Sequence, residues 1–131
     1  MKRIYCDYNA TTPLLPAVEK VFKDSFSCFG NPSSLYEAGR VAKEVVEAAR
    51  ETLARSLDCR SDQLIFTSSA TEANNQVLKN LLHERFVLQK KCHVLISAIE
   101  HSSVLQTVDY LTRYGIEYDF IPVDHTGKIK F

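Results

Sequence analysis

The apolar residues of this chain change their rhythm part-way along. Between residues 35 and 57, Ala38, Val41, Ala42, Val45, Ala49, Leu53 and Leu57 recur three and four apart with charges between them. That spacing predicts one long amphipathic helix with the stripe turned to a core. Before it, Ala17, Val18, Val21, Phe22 and Phe26 fall near helical spacing over residues 16–26, and Pro16 suits a first helical turn. Between these helices Phe29-Gly30-Asn31-Pro32-Ser33-Ser34 is a loop by composition. Ser33 or Ser34 is the expected cap of the long helix, with Glu37 in its first turn. Residues 4–16 are polar and interrupted by Thr12-Pro13 and Leu15-Pro16; each proline discourages helix just before it, so an irregular arm is expected.

After residue 57, short apolar runs alternate with helical stripes. Residues 63–67 read as a strand, and residues 71–86 as a helix with Val77, Leu78, Leu81 and Leu82 inward. Residues 92–97 read as a second strand, followed by a helix over 102–114 with Val104, Leu105, Val108 and Leu111 inward and Gly115 as its stop. Residues 117–123 form a third strand, closed by the turn Asp124-His125-Thr126-Gly127. Strands and helices alternating at intervals of about 30 residues predict βαβ units and a mostly parallel sheet, an α/β class. A length of 131 residues fits one domain with a real core, and no repeat, linker or low-complexity segment interrupts it.

Composition excludes several functions. Sixteen basic and sixteen acidic residues leave no net charge and no basic excess for nucleic acid. No apolar run approaches the ~20 residues needed to cross a bilayer. The opening Met1-Lys2-Arg3-Ile4-Tyr5-Cys6-Asp7 has the form of neither a signal nor a transit peptide, which predicts a cytoplasmic protein. The four cysteines, Cys6, Cys28, Cys59 and Cys92, form no C-x-x-C pair and read as free, mostly buried thiols. No metal site is expected: Cys92 and His93 are neighbours that face opposite ways on a strand, and His83, His93 and His125 show no ligand spacing.

Three places carry candidate chemistry. Phe66-Thr67-Ser68-Ser69-Ala70-Thr71-Glu72-Ala73-Asn74-Asn75 joins a strand to a helix start, where backbone N–H groups and the helix dipole favour an anion such as phosphate. The turn lacks glycine, so it is neither a P-loop nor a dinucleotide fingerprint. Ser69-x-x-Glu72 is also a capping box, so a plain cap and an anion site both remain open. Ile99-Glu100-His101-Ser102-Ser103 lies at the carboxyl end of the next strand, where ligands gather in open α/β sheets. His101 there is either a ligand-facing ring or a helix-start residue with Ser102 or Ser103 as cap. The third place, Asp7-Tyr8-Asn9-Ala10-Thr11-Thr12-Pro13, is either a free terminus or an arm across a site or another subunit.

Together with Phe29-Gly30-Asn31-Pro32-Ser33-Ser34, these segments resemble the pyridoxal-phosphate-dependent cysteine desulfurases of the class V aminotransferase family, in the nitrogen-fixation and iron–sulfur-cluster branch. The matching pieces are Tyr5-x-Asp7-x-Asn9-Ala10-Thr11-Thr12-Pro13, the Gly30 loop, Phe66-Thr67-Ser68-x-Ala70-Thr71-Glu72 and Glu100-His101-x-x-Val104-Leu105, in family order. The resemblance covers residues 4–131. It implies the N-terminal part of a fold type I large domain, with an arm over residues 1–15 and the start of the cofactor domain over 16–131. It further implies that Ala70 and Thr71 hold the phosphate of pyridoxal phosphate. His101 would stack on its ring and shuttle protons, the one catalytic residue in the chain, and Asn9, Ala10 and Thr11 would lie on the substrate side. The parent would take sulfur from L-cysteine, leave alanine and a protein persulfide, pass sulfur to an acceptor or scaffold protein, and form a homodimer.

Two departures stand out. Ser69 replaces a usual glycine, and its Cβ would crowd the turn if that position needed positive φ. Cys6 replaces an aliphatic residue and reads as a packing swap. The family's Asp, Gln and covalent Lys around the cofactor, and its mobile-loop Cys, lie beyond residue 131, so this chain alone is expected to be inactive. Its first strand is expected to lack its neighbours. The rival readings are a truncated chain that binds a partner without catalysis, a related enzyme such as a selenocysteine lyase, and a small flavodoxin-like binding module.

Overall fold

The computed structural model describes residues 4–130, so Met1, Lys2 and Arg3 of the expected arm and opening, and Phe131, lie outside the described residues. The chain divides into two compact units, the first ending at Ile65 and the second beginning at Phe66.

The described part of the first unit opens with an exposed arm that forms a turn: the Asp7 carbonyl accepts from the N–H groups of Ala10 and Thr11 at 3.1 and 3.4 Å. Helix α1, Pro16–Ser25, begins on its proline as expected. Helix α2, Glu37–Ser56, follows the 29–34 loop. Its cap position is Tyr36, which makes no side-chain cap bond, so neither Ser33 nor Ser34 plays that part. The loop has its own logic: Asn31 Oδ1 accepts from Ser33 N–H and the Asn31 carbonyl from Ser34 N–H, each at 2.9 Å, and this turn rests against α2 at buried Gly39.

The apolar stripe of α2 is turned to less core than its spacing predicts. Ala42 is buried, but Val41, Val45, Leu53 and Leu57 are exposed. Periodicity fixes which residues share a face, and burial needs a partner for that face; among the described residues of this unit α2 packs mainly on a 3₁₀ turn, Ser61–Gln63. Arg50 ties the two together, its Nη1 donating to the Leu64 carbonyl at 2.6 Å.

The expected strand over 63–67 is absent: residues 61–63 are 3₁₀ and residues 64–67 carry no regular structure. Leu64 does adopt extended dihedrals. A strand exists by pairing, and no described segment forms a ladder with this one.

The second unit follows the predicted rhythm closely. Helix α3 is Ala70–Phe86, strand β1 His93–Ser97, helix α4 Ser102–Thr112 and strand β2 Glu117–Ile121. The strands pair in parallel, His93 opposite Glu117 through Ser97 opposite Ile121, with α4 as the crossover. Helices α3 and α4 pack together. Ile96, Val108, Leu111 and Ile116 are the buried apolar residues, with Val108 and Leu111 at 0% exposure. Gly115 ends the helical turn at φ +75°, close to the expected stop, although α4 itself closes at Thr112 rather than Tyr114. Val77, expected inward, is exposed on α3. The 124–127 turn forms as predicted, with Asp124 Oδ1 accepting from Thr126 N–H, Thr126 Oγ1 and Lys128 N–H.

One face of the sheet carries Val94, Ile96, Tyr118 and Phe120. The other carries Leu95, which is 64% exposed, so this parallel pair is open on a side that such sheets normally cover. The four cysteines are free; Cys6 is exposed on the arm and the others are half-buried, short of the burial expected of them.

Candidate cofactor site

The start of α3 resolves the choice of donors in the glycine-free turn. Ser69 is the N-cap at φ −165°, ordinary extended backbone, so its Cβ meets no conformational penalty. Its Oγ accepts from Glu72 N–H at 3.2 Å. Glu72 reaches back one residue further than a standard capping box: its Oε2 accepts from both the N–H and the Oγ of Ser68, each at 2.7 Å. These bonds, the Ser68 hydroxyl first, hold the Glu72 carboxyl below the ordinary glutamate range. The N–H of Ala73 is taken by the Ser69 carbonyl. The first-turn N–H groups of Ala70 and Thr71 have no carbonyl four residues back within α3, and Thr71 adds an exposed hydroxyl beside them.

The start of α4 also differs from its expected cap. His101 is itself the N-cap, its Nδ1 accepting from Ser103 N–H at 3.1 Å. Ser103 Oγ lies 2.9 Å from the same nitrogen and accepts from Asn74 Nδ2 at 2.9 Å. A continuous hydrogen-bonded path therefore runs from the second turn of α3 to the His101 ring. Thr71 lines a cavity of about 330 Å³ between α3 and α4, together with Asn75, Lys79, Ser102, Gln106 and Tyr110 among others. Polar side chains on both helices, the paired helix starts and a lysine on the wall give this groove the chemistry of an anion-binding place.

The structure thus brings Ala70, Thr71 and His101 into one unit, at neighbouring helix starts. Asn9, Ala10 and Thr11 belong to the other unit and lie in the exposed turn on Asp7. Asn74 and Ser103 are functional candidates that the linear pattern does not single out as a pair, since 29 residues separate them. Among the described residues no group of three or more His, Cys, Asp and Glu could hold a metal ion. The exposed His93 ring instead lies against the carboxyl groups of Asp119, at 3.0 Å, and Glu117, at 3.8 Å. No described helix is long and apolar enough to cross a membrane.

Comparison with known proteins decides the family. The aminotransferase class-V family model matches residues 4–131. The chain belongs to the class-V aminotransferases. Among its relatives in that family, a cysteine desulfurase IscS from Dictyoglomus turgidum is 41% identical over 98% of this chain and 33% of its own length. The human selenocysteine lyase is 36% identical over 93% of this chain and 31% of its own. A solved NifS-like protein superposes with a TM-score of 0.89 at 35% identity, covering 98% of this chain and 35% of that one. A structure of SspA in complex with cysteine gives a TM-score of 0.82 at 32% identity, over 92% and 34%. This class-V chain therefore spans about a third of the length of the curated relatives it matches. The partial α/β fold, helices with a parallel sheet, is that of the pyridoxal-phosphate-dependent fold type I, seen also in the NifS-like neighbour.

Proposed function

We propose that this class-V chain contributes part of a pyridoxal-phosphate cradle in a cysteine desulfurase. The observation that carries the reading is the pair of helix starts tied by Asn74 and Ser103: one leaves the Ala70 and Thr71 donors without helical partners, and the other holds His101. That donor set fits a phosphate, because Ser68 and Glu72 satisfy each other and do not compete for the two remaining N–H groups. Bound pyridoxal phosphate would supply the electron sink for bond cleavage at an amino acid.

In this reading Ala70 N–H, Thr71 N–H and Thr71 Oγ1 would hold the cofactor's phosphate. The His101 ring would lie against the cofactor's ring, and its Nε2 would hold or pass a proton. Asn9, Ala10 and Thr11 would serve the substrate side, in an arm over residues 1–15 that precedes a cofactor domain from 16 to 131. The substrate is L-cysteine, the product sulfur passes to an acceptor or scaffold protein, and the working enzyme is a cytoplasmic homodimer. The reading requires a covalent lysine and a sulfur-accepting cysteine from outside these residues, and it predicts that these residues alone would turn over no substrate. The cysteine bound in the SspA neighbour and the several IscS relatives support the substrate. Human selenocysteine lyase, at 36% identity, favours one second reading, in which the same cradle serves selenocysteine.

The test is cofactor affinity and sulfide release from L-cysteine, against selenide release from L-selenocysteine, in the natural-length protein with Thr71→Ala or His101→Ala. Loss of a hydrogen bond to a charged phosphate predicts cofactor binding weaker by about tenfold or more for Thr71→Ala. Loss of a proton-transfer group predicts a kcat lower by about 10²–10⁴ for His101→Ala. Full activity and full affinity in both variants would overturn the assignment.

A further inference from the structure

We propose that Ser103, oriented by Asn74, is a positioning residue that holds His101 in one neutral tautomer, with the ring proton on Nε2; the use made of that proton rests on the reading above. Each donor in the path fixes the next. A backbone N–H can only donate, so Nδ1 of His101, 3.1 Å from Ser103 N–H, must accept. Asn74 Nδ2 can likewise only donate, and it is directed at Ser103 Oγ at 2.9 Å. The Ser103 hydroxyl has one proton, and with Asn74 on its acceptor side that proton is free for Nδ1, 2.9 Å away. Ser103 is buried, so water has little access to its hydroxyl.

With Nδ1 accepting twice, the neutral ring carries its proton on Nε2, across the ring from α4. The ring is therefore presented as a donor on its outer edge. Its placement is referred, through Asn74, to the same helix whose first turn holds Ala70 and Thr71. A cap alone would need only the Ser103 N–H contact; the Asn74–Ser103 link adds polarity and orientation that capping does not require.

The test reads the imidazole nitrogens of His101 by ¹⁵N NMR in the natural-length protein without cofactor, at a pH where the ring is neutral. The expected wild-type spectrum has an unprotonated Nδ1 and a protonated Nε2. Asn74→Asp keeps the shape but replaces a donor with an acceptor, which draws the Ser103 proton away from His101. The ratio of the Nε2–H to the Nδ1–H form then falls about fivefold, the factor expected for one lost hydrogen bond. Ser103→Ala produces the same fall, whereas Ser103→Thr retains the hydroxyl and the wild-type ratio. A wild-type ring protonated on Nδ1, or a ratio unmoved by both Asn74→Asp and Ser103→Ala, overturns the proposal. If Ser103→Ala does not fold, the isosteric Asn74→Asp decides alone. The readout needs no cofactor, so full activity and affinity in both Thr71→Ala and His101→Ala would defeat the proposed function without touching this result, and the converse holds.

Discussion

Gly39 poses a contest between two opposite effects, and the structure predicts which wins. In the interior of an exposed helix, replacing glycine with alanine stabilises by about 1 kcal/mol through reduced backbone entropy. At Gly39 of α2, however, an added Cβ would lie 2.6 Å from the Ser34 carbonyl oxygen, 2.7 Å from the Asn31 carbonyl oxygen and 2.9 Å from Ser34 Cβ. These approaches are roughly 0.5–1 Å inside ordinary van der Waals contact. The obstructing atoms are mostly backbone, and the Asn31 carbonyl is engaged by Ser34 N–H at 2.9 Å, so it cannot retreat without loosening the turn. Overpacking of this kind costs about 1–3 kcal/mol, and a lost turn hydrogen bond adds about 1 kcal/mol. The expected net effect of Gly39→Ala is a destabilisation of about 1–3 kcal/mol, read as a fall in Tm of roughly 4–8 °C for each kcal/mol in a small domain. Glu51→Ala, on the exposed side of the same helix, is the control and should move Tm little. A Gly39→Ala protein with a raised Tm would show the helix propensity acting unopposed and would refute the packing of the 29–34 loop on α2.

Two further outcomes follow from the turn before α3. Ser69→Ala removes the acceptor for Glu72 N–H and should cost about 1 kcal/mol in thermal or urea unfolding, while Ser69→Gly should cost only a few tenths, because the cap conformation is retained; equal losses in the two would place the effect in the serine's surroundings instead. Because the bonds from Ser68 depress the folded-state value of the Glu72 carboxyl, their stabilisation is fully present above the ordinary glutamate range and is lost as pH falls through the lower folded value. The Tm difference between wild type and Glu72→Gln should therefore shrink below about pH 4, and a difference constant from pH 7 to pH 3 would contradict the bonding described.

How much of this was legible beforehand follows the range of the interactions. The α3–β1–α4–β2 succession, the Gly115 stop and the 124–127 turn were readable because each depends on residues a few positions apart: a 3.6-residue stripe, a positive-φ glycine, an aspartate bonding its own turn. The Ser69 cap was legible for the same reason, and even there Glu72 went to Ser68 rather than to Ser69, since side-chain reach depends on backbone dihedrals that a motif does not state. The four family segments were equally open to inspection, and the class-V match over residues 4–131 bears them out.

What required tertiary structure is whatever needs a partner distant in sequence. Residues 64–67 have strand composition but no ladder, and a strand is defined by its neighbour. The α2 stripe has helical spacing but leaves Val41, Val45, Leu53 and Leu57 exposed, because periodicity names a face without supplying what covers it. Above all, the sequence determined that Thr71 and His101 stand at helix starts, while only the fold decided that Asn74 reaches Ser103 across 29 residues and turns the His101 ring. Local periodicity and capping are written in adjacent residues; the hydrogen bond that orients a ring exists only once two helices have packed.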